Sequence, residues 1–163
     1  MEKLVYISLG SNVGDRAANL QVAIERLRKS GAVQGVSGFY ETEPVELREQ
    51  PWFLNCVVAL ETGQSAQELL RRVLAIEQEM GRTRLRDKGP RSIDIDILLY
   101  GQDVVEERGL KIPHPAMQER RFVLEPLAEI APEAVHPTLK KTVRELFAAL
   151  PAGQAVCRLE SGI

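Results

Sequence analysis

Isoleucines alternate with small polar or acidic residues in the stretch SIDIDIL, residues 92–98, and this pattern constrains the fold more than any other in the chain. In a β-strand, successive side chains point to opposite faces of the sheet. The isoleucines and Leu99 are therefore predicted to face a hydrophobic core, whereas Asp94 and Asp96 face the other way. A strand of this kind needs a sheet that packs helices against one face and leaves the other open to water.

The residues before this strand supply the partners that such a sheet needs. Runs rich in β-forming residues predict three earlier strands, at 4–9, 33–42 and 53–60. Apolar residues at three- and four-residue spacing predict two helices, from Asp15 to a stop at Gly31 and from Ser65 to a stop at Gly81. The order strand, helix, strand, strand, helix, strand is that of the split βαβ arrangement. We therefore predict an α+β protein with a ferredoxin-like antiparallel sheet and helices on one face.

The C-terminal part of the chain adds further elements to this sheet. A short strand is predicted near Leu110, and helices are predicted at about 118–130 and 142–150. For the tail, residues 151–163, an added strand and a frayed end are both open. The whole chain, residues 1–163, has the length of one hydrophobic core, so we predict a single domain with C-terminal helical additions.

Charge and composition argue against several classes of partner. The net charge of −2 and the pI of about 5.8 provide no overall attraction for a nucleic acid. The N-terminal residues do not resemble a signal peptide, and no apolar run reaches the roughly 18 residues that a membrane span needs. Cys56 and Cys157 are expected to be reduced thiols. We expect a cytoplasmic monomer that binds neither nucleic acid nor membranes.

Two explanations of Asp94 and Asp96 are open from the residues alone. Side chains two positions apart on a strand lie about 6 to 7 Å apart, and solvated acids on an open sheet face need no function. However, five basic residues precede them, namely Arg82, Arg84, Arg86, Lys88 and Arg91. Carboxylates that hold a hard divalent cation, beside arginines that hold phosphate oxygens, form a site for a magnesium nucleotide. The P-loop motif GxxxxGK[ST] is absent from the sequence, so a cradle of that kind is excluded.

Several motifs spread along the chain resemble those of one known family. They are SLGSN at 8–12, FYET at 39–42, QPWFLN at 50–55, IEQEMGRTR at 76–84, GPRSIDIDILLY at 89–100, IPHP at 112–115 and RRFVLEPL at 120–127. The family is the 6-hydroxymethyl-7,8-dihydropterin pyrophosphokinases of folate biosynthesis, and GPRxIDxDIL is the most specific of these motifs. The resemblance implies a ferredoxin-like α+β fold. It also implies transfer of the diphosphoryl group of ATP to the hydroxymethyl oxygen of the pterin, which leaves AMP.

The resemblance further implies a role for each matching residue. Asp94 and Asp96 would ligate two Mg²⁺ ions, while Arg82 and Arg91 would act in catalysis by neutralising charge on the transferred group. The ATP-binding residues would be Glu77, Arg82, Arg84, Arg91, Ile97, His114 and Arg120. The pterin-binding residues would be Thr42, Glu43, Pro44, Phe53, Asn55 and Phe122, with the two phenylalanines stacking on the ring.

Alternatives remain for individual residues and for the function. The Asn55 amide, in an apolar strand, could bond the pterin or neighbouring backbone. Glu77 could be a plain surface acid, and His114 an incidental loop residue. Lys88 stands where the family often has a tryptophan, a departure that bears on a closing lid. The alternative function is a non-catalytic ferredoxin-like regulatory module that binds a nucleotide; an RNA-binding sheet is disfavoured because its acidic strand would repel phosphate.

Overall fold

The computed structural model describes residues 2–42, 52–81, 92–151 and 156–159. The strands in these ranges are β1 (Lys3–Ser11), β2 (Ala32–Val36), β3 (Tyr40–Thr42), β4 (Phe53–Thr62), β5 (Asp94–Tyr100), β6 (Val105–Glu107), β7 (Leu110–Ile112), β8 (Val135–His136), β9 (Lys141–Thr142) and β10 (Val156–Arg158). The α-helices are α1 (Arg16–Leu27), α2 (Ala66–Glu79), α3 (Arg121–Ile130) and α4 (Val143–Ala148), and a 3₁₀ turn covers Met117–Glu119. Within these ranges, no helix combines the length and the apolar character needed to cross a membrane.

β1 and β4 form the centre of a six-stranded sheet. The order is β10-β3-β4-β1-β5, with β2 also paired to β4, and every pairing is antiparallel. The predicted α+β fold with an antiparallel sheet is therefore confirmed. β5, which carries the alternating acids and isoleucines, lies at one end of this order and pairs with β1 along one edge. At its other edge, the loop that follows β7 forms a backbone hydrogen bond to it.

α1 and α2 begin where the sequence predicts because their N-caps depend on local residues. The Asp15 carboxylate accepts a hydrogen bond from the amide of Ala18 at 3.1 Å. Ser65 and Glu68 form a capping box at the predicted start of α2. α2 is followed by Gly81, whose φ of +85° is the conformation that glycine adopts most easily after a helix.

The predicted stop of α1 at Gly31 is wrong, since the helix already ends at Leu27. Gly31 instead allows a close contact between two backbone segments. A Cβ atom at this position would collide with the backbone carbonyl oxygen of Glu61, so the glycine allows the chain to pass close to β4.

The strand predicted at 33–42 is also wrong, because the structure forms two strands, β2 and β3, separated at residues 37–39. The amide of Gly38 donates to the carboxylate of Glu129 in α3, at 3.1 and 3.2 Å, instead of to a neighbouring strand. The Tyr40 hydroxyl donates to the same carboxylate at 2.7 Å. A side chain from a distant helix thus takes the place of sheet hydrogen bonds and divides the strand.

The sheet has a core on each face: the first two helices lie on one face, as predicted, and the C-terminal helices lie on the other. α1 and α2 cover the first face with a cluster that contains Ile93, Ile95 and Ile97. α3 and α4 cover part of the second face, where they pack on Val57 and on the C-terminal half of β5. The rest of the second face, at the N-terminal end of β5, carries the two partly buried aspartates.

Leu99 packs in the second core, so its predicted direction is wrong. The pairing of β1 with β5 shifts register between Tyr6 and Ile7, which oppose Leu99 and Ile97, respectively. The extra residue, Leu98, makes a β-bulge, and alternation resumes in the opposite phase beyond it. The tail is resolved in favour of a strand over 156–158, since β10 pairs with β3 and Arg158 forms an ion pair with Glu129 at 3.3 Å.

The hairpin of β8 and β9 buries His136, which is 5% exposed. Its Nδ1 accepts hydrogen bonds from the amides of Thr138 and Leu139 at 3.3 and 3.1 Å. Burial lowers the pKa of this imidazole from the ordinary value of 6.5. The folded protein therefore keeps His136 neutral at a pH where the unfolded chain binds a proton. We expect the free energy of unfolding to fall as the pH drops below about 6.5, by at most about 1.4 kcal/mol per pH unit from this group.

Urea unfolding at several pH values between about 7.5 and 5.5 measures this slope. In a His136→Gln variant, the part of the slope that comes from this imidazole should disappear, although the variant is less stable at every pH. A slope identical to that of the wild type would show that His136 does not titrate as its burial implies.

Candidate active site

The sheet register brings residues from three strands into one row. Gly10 in β1 lies opposite Asn55 in β4 on one side and opposite Asp94 in β5 on the other. Directly opposed residues of antiparallel strands share a face, and adjacent strands are about 4.8 Å apart. Asp94 and Asn55 therefore lie on the same face, roughly 10 Å apart, with only a glycine between them.

Asp94 and Asp96 lie on the second face, where α3 and α4 do not cover β5, and both are partly buried. The Asp96 side chain is 41% exposed, and its Oδ1 lies 4.0 Å from Nε2 of His114. The backbone amide of His114 donates to the carbonyl oxygen of Leu98 at 3.0 Å. This bond fixes the loop after β7 along β5 and brings the histidine beside the carboxylate.

His114 has one ring nitrogen committed to the backbone. Its Nδ1 accepts a hydrogen bond from the amide of Ala116 at 3.2 Å, so in the neutral ring the proton is on Nε2, the nitrogen that faces Asp96. Burial lowers the pKa of His114, and the positive charge of Arg120 lowers it further, while Asp94 acts in the opposite direction. At neutral pH the ring is therefore an uncharged donor that points into the site.

Glu77 is 3% exposed, so the alternative of a plain surface acid is wrong. The residue reaches from α2 to β5, where its Oε2 accepts a hydrogen bond from the backbone amide of Ile95 at 2.8 Å. Ile95 stands between the two aspartates in sequence. Glu77 thus holds the segment of backbone from which both carboxylates project.

Asn55 and Thr42 form a buried polar pair, being 4% and 2% exposed. Nδ2 of Asn55 donates to the Thr42 hydroxyl at 2.7 Å, so the amide is oriented by a side chain rather than by the neighbouring backbone. Gly10 is required here, because a Cβ atom at that position would lie 2.6 Å from Oδ1 of Asn55. The predicted strand at 4–9 ends one residue before Gly10. The structure places it within β1, and a glycine beside a strand pattern is itself a signal of close backbone approach.

The two aromatic residues predicted to stack on a ring are both partly buried. Phe53 pairs with Thr42 across β3 and β4, beside Asn55. Phe122, in the first turn of α3, packs against the second core. The guanidinium carbon of Arg120 lies 5.6 Å from the centroid of the Phe122 ring, within the range of a cation–π interaction. A sandwich of a flat ligand between the two phenylalanines stays a prediction.

A pocket of about 310 Å³ opens at the edge of β5, between α2 and the loop after β7. Its apolar lining includes Leu70, Val73 and Ile97, and its polar lining includes Asp96, Lys111 and His114. This volume is at the small end of the range for ligand-binding pockets. The pocket therefore combines an apolar wall with the carboxylate of Asp96 and the imidazole of His114.

Five of the predicted site residues lie outside the described residues: Glu43, Pro44, Arg82, Arg84 and Arg91. Of the other ten, Arg120 and Phe122 lie together at the start of α3, and the structure brings the remaining eight into two groups. Asp94, Asp96, His114, Ile97 and Glu77 gather around the N-terminal half of β5, whereas Asn55, Thr42 and Phe53 gather on β3 and β4.

Comparison with known proteins identifies relatives over most of the chain. The family model described as 7,8-dihydro-6-hydroxymethylpterin-pyrophosphokinase matches residues 6–132. The chain is 47% identical over 132 residues to a Bacillus subtilis protein, covering 80% of this chain and 79% of the relative. It is 46% identical to a Methylorubrum extorquens protein, covering 91% of this chain and 94% of the relative. Both relatives are named 2-amino-4-hydroxy-6-hydroxymethyldihydropteridine pyrophosphokinase.

Other matches are to parts of much longer proteins. The chain is 45% identical to the folic acid synthesis protein fol1 of Schizosaccharomyces pombe over 92% of its own length, but it spans only 21% of that relative. Among solved structures, wild-type Plasmodium falciparum HPPK-DHPS superposes with a TM-score of 0.75 at 17% identity, covering 91% of this chain and 44% of that chain. At this identity the superposition is a likeness of fold.

Proposed function

Because this chain belongs to the 7,8-dihydro-6-hydroxymethylpterin-pyrophosphokinase family, we propose that it is a folate-biosynthesis enzyme that uses ATP to diphosphorylate 6-hydroxymethyl-7,8-dihydropterin. The diphosphoryl group passes to the hydroxymethyl oxygen, and AMP leaves. The observation that supports this most is the row across three strands, in which Asn55, the proposed pterin contact, shares a face with Asp94, the proposed metal ligand.

Asp94 and Asp96 suit Mg²⁺ as the metal. Both supply hard carboxylate oxygens from one face of one strand, and His114 stands beside them at 4.0 Å from Asp96. Among the described residues there is no cluster of three or more acidic, histidine or cysteine side chains that could enclose an ion. This fits an ion that completes its coordination with phosphate oxygens and water. Two Mg²⁺ ions, when bound, would neutralise charge on the triphosphate.

The chain's own residues position ATP beside the aspartates. Nε2–H of His114 donates a hydrogen bond to a phosphate oxygen, and Arg120 adds positive charge on the same side. The adenosine lies in the pocket at the edge of β5, against Ile97. Arg82, Arg84 and Arg91 complete the phosphate contacts, and Arg82 and Arg91 stabilise the charge that grows during transfer. Glu77 acts at this end by holding the amide of Ile95.

The pterin lies on the β3–β4 side of the row. Asn55, oriented by Thr42, presents its amide to the polar edge of the ring, while Phe53 and Phe122 contact its faces. Glu43 and Pro44, which follow Thr42 in sequence, are the other proposed pterin contacts. The hydroxymethyl group is then directed along the row toward Asp94, which places the attacking oxygen near the β-phosphorus.

The test is product analysis with the purified protein, magnesium, ATP and the reduced hydroxymethyl pterin. We expect AMP and the pterin diphosphate in equal amounts. Release of ADP, or AMP release that does not depend on the pterin, would contradict the proposed transfer. A regulatory module would instead bind ATP and leave the pterin unbound, which calorimetry with each ligand detects.

Three further expectations complete the proposal: a monomer, a cytoplasmic location, and the absence of nucleic-acid and membrane partners. Sedimentation, cell fractionation and binding to DNA or vesicles check them separately.

A further inference from the structure

Arg16, the first residue of α1, joins two separate segments of the chain with one guanidinium group. Nη2 forms an ion pair with Oε2 of Glu41 at 2.7 Å, and Nη1 donates to the backbone carbonyl oxygen of Trp52 at 3.0 Å. The Arg16 and Glu41 side chains are 27% and 34% exposed, so the pair is shielded on one side by the protein. This three-part contact is called the Arg16 brace.

The Arg16 brace holds the immediate chain neighbours of two proposed pterin contacts. Glu41 precedes Thr42, and Trp52 precedes Phe53. Thr42 and Phe53 are directly opposed in the pairing of β3 with β4, and the Thr42 hydroxyl orients Asn55. Because side chains alternate along a strand, Glu41 projects from the face opposite to that of Thr42, toward α1. The brace therefore acts on the back of the strands whose front carries the pterin contacts.

We propose that Arg16 is a positioning residue for the pterin pocket and acts through Glu41 and the Trp52 carbonyl. The proposal depends on the function proposed above. A planar guanidinium presents two nitrogens in a fixed fork, so it can fix the distance between two acceptors on different segments, which a single ammonium group cannot do. A partly exposed ion pair of this kind contributes little to stability. The main effect of the brace is thus on the geometry of the pocket.

The test compares Arg16→Gln and Arg16→Lys with a matched control, Arg28→Gln. Arg28 pairs with Glu25 at 2.9 Å at the other end of α1, about 18 Å away along the helix axis. For Arg16→Gln we expect the KM of the pterin to rise about tenfold, since misplacement of contacts by about 1 Å costs up to 10²-fold. The KM of ATP and kcat should stay within about twofold. Arg16→Lys should restore less than half of the loss, and Arg28→Gln should match the wild type.

A second readout uses Trp52, the chain's single tryptophan. Trp52 is 41% exposed, and its carbonyl oxygen accepts a hydrogen bond from Arg16. The tryptophan emission of the ligand-free protein should change in Arg16→Gln and not in Arg28→Gln. Glu41→Gln and Arg16→Gln remove the same contact. The pterin KM of the double variant should therefore rise by less than the product of the two single-variant increases.

The failures are distinguishable. A wild type without pterin-dependent AMP release overturns the proposed function, and the role of the brace with it. A wild type with that activity, and an Arg16→Gln variant with an unchanged pterin KM, overturns the brace alone. A parallel rise in the KM of both substrates together with a lower Tm also overturns it, since that pattern is general destabilisation.

Discussion

Replacing Asp96 with asparagine is expected to reduce turnover by at least about 10³-fold while the protein stays folded. Asparagine keeps the size of the side chain but removes the negative charge that holds a cation against the triphosphate. Metal ions supply several kcal/mol of transition-state stabilisation, and each ~1.4 kcal/mol is a factor of ten in rate. The fold should persist because the side chain is 41% exposed and lies on the uncovered part of the second face.

Asp103→Asn is the matched control for this variant. Asp103 lies in the turn just after β5, and its carboxylate is 46% exposed and paired with Lys3 at 3.3 Å. Its replacement should leave the rate unchanged. Thermal unfolding of both variants checks the fold, and calorimetry with magnesium and ATP checks nucleotide binding. An Asp96→Asn enzyme with a rate within tenfold of the wild type would remove this residue from the metal site.

The second large effect is expected for Gly10→Ala. A methyl group at this position would lie 2.6 Å from Oδ1 of Asn55 and 3.5 Å from Cδ1 of Phe53, so the amide must move. Both neighbours are proposed pterin contacts. We expect the pterin KM to rise by about 10²-fold, because a displacement of about 1 Å in a binding contact has an effect of that size. The KM of ATP should change much less.

Gly35→Ala provides the comparison, since Gly35 lies in β2 and an added Cβ atom would meet no atom within 4 Å. This variant should bind the pterin like the wild type and be equally or slightly more stable. Steady-state kinetics with each substrate varied in turn measures both variants. Equal pterin KM values for the two alanine variants would mean that Gly10 does not set the position of Asn55.

The parts of the fold that the sequence predicts well are those controlled by neighbouring residues. The start of α2 at the Ser65–Glu68 capping box is one case, since both partners lie within four residues. The buried alternation of Ile93, Ile95 and Ile97 is another, because burial on one face of a strand repeats every second residue.

The parts that the sequence did not predict depend on distant partners. The strand at 33–42 is divided because Glu129, some 90 residues away, bonds the Gly38 amide and the Tyr40 hydroxyl. Gly31 is needed because the backbone of Glu61 passes close to it, and the residues next to Gly31 in sequence do not indicate this contact. Long-range contacts of this kind become visible only when the strands are placed side by side.

The candidate site shows the same division. Resemblance to a family indicated Asp94, Asn55 and His114, but not how they meet. Their proximity follows from the register of β1 with its two neighbours and from the bond between the His114 amide and the Leu98 carbonyl. Glu77 illustrates the limit most clearly, since its helical position suggested a surface residue and its carboxylate is buried against β5.

The bulge at Leu98 divides β5 into a part that presents the two aspartates and a part that packs against the second core. Upstream of it, the phase of the strand decides whether a carboxylate meets water or isoleucines, so an inserted or deleted residue between Asp94 and Asp96 would turn an acid into the interior. Downstream, the phase has already been reset once to serve α3 and α4. We therefore expect a length change before the bulge to abolish activity by misdirecting an aspartate, and one after it to destabilise the fold by misdirecting the buried Leu99 and Tyr100.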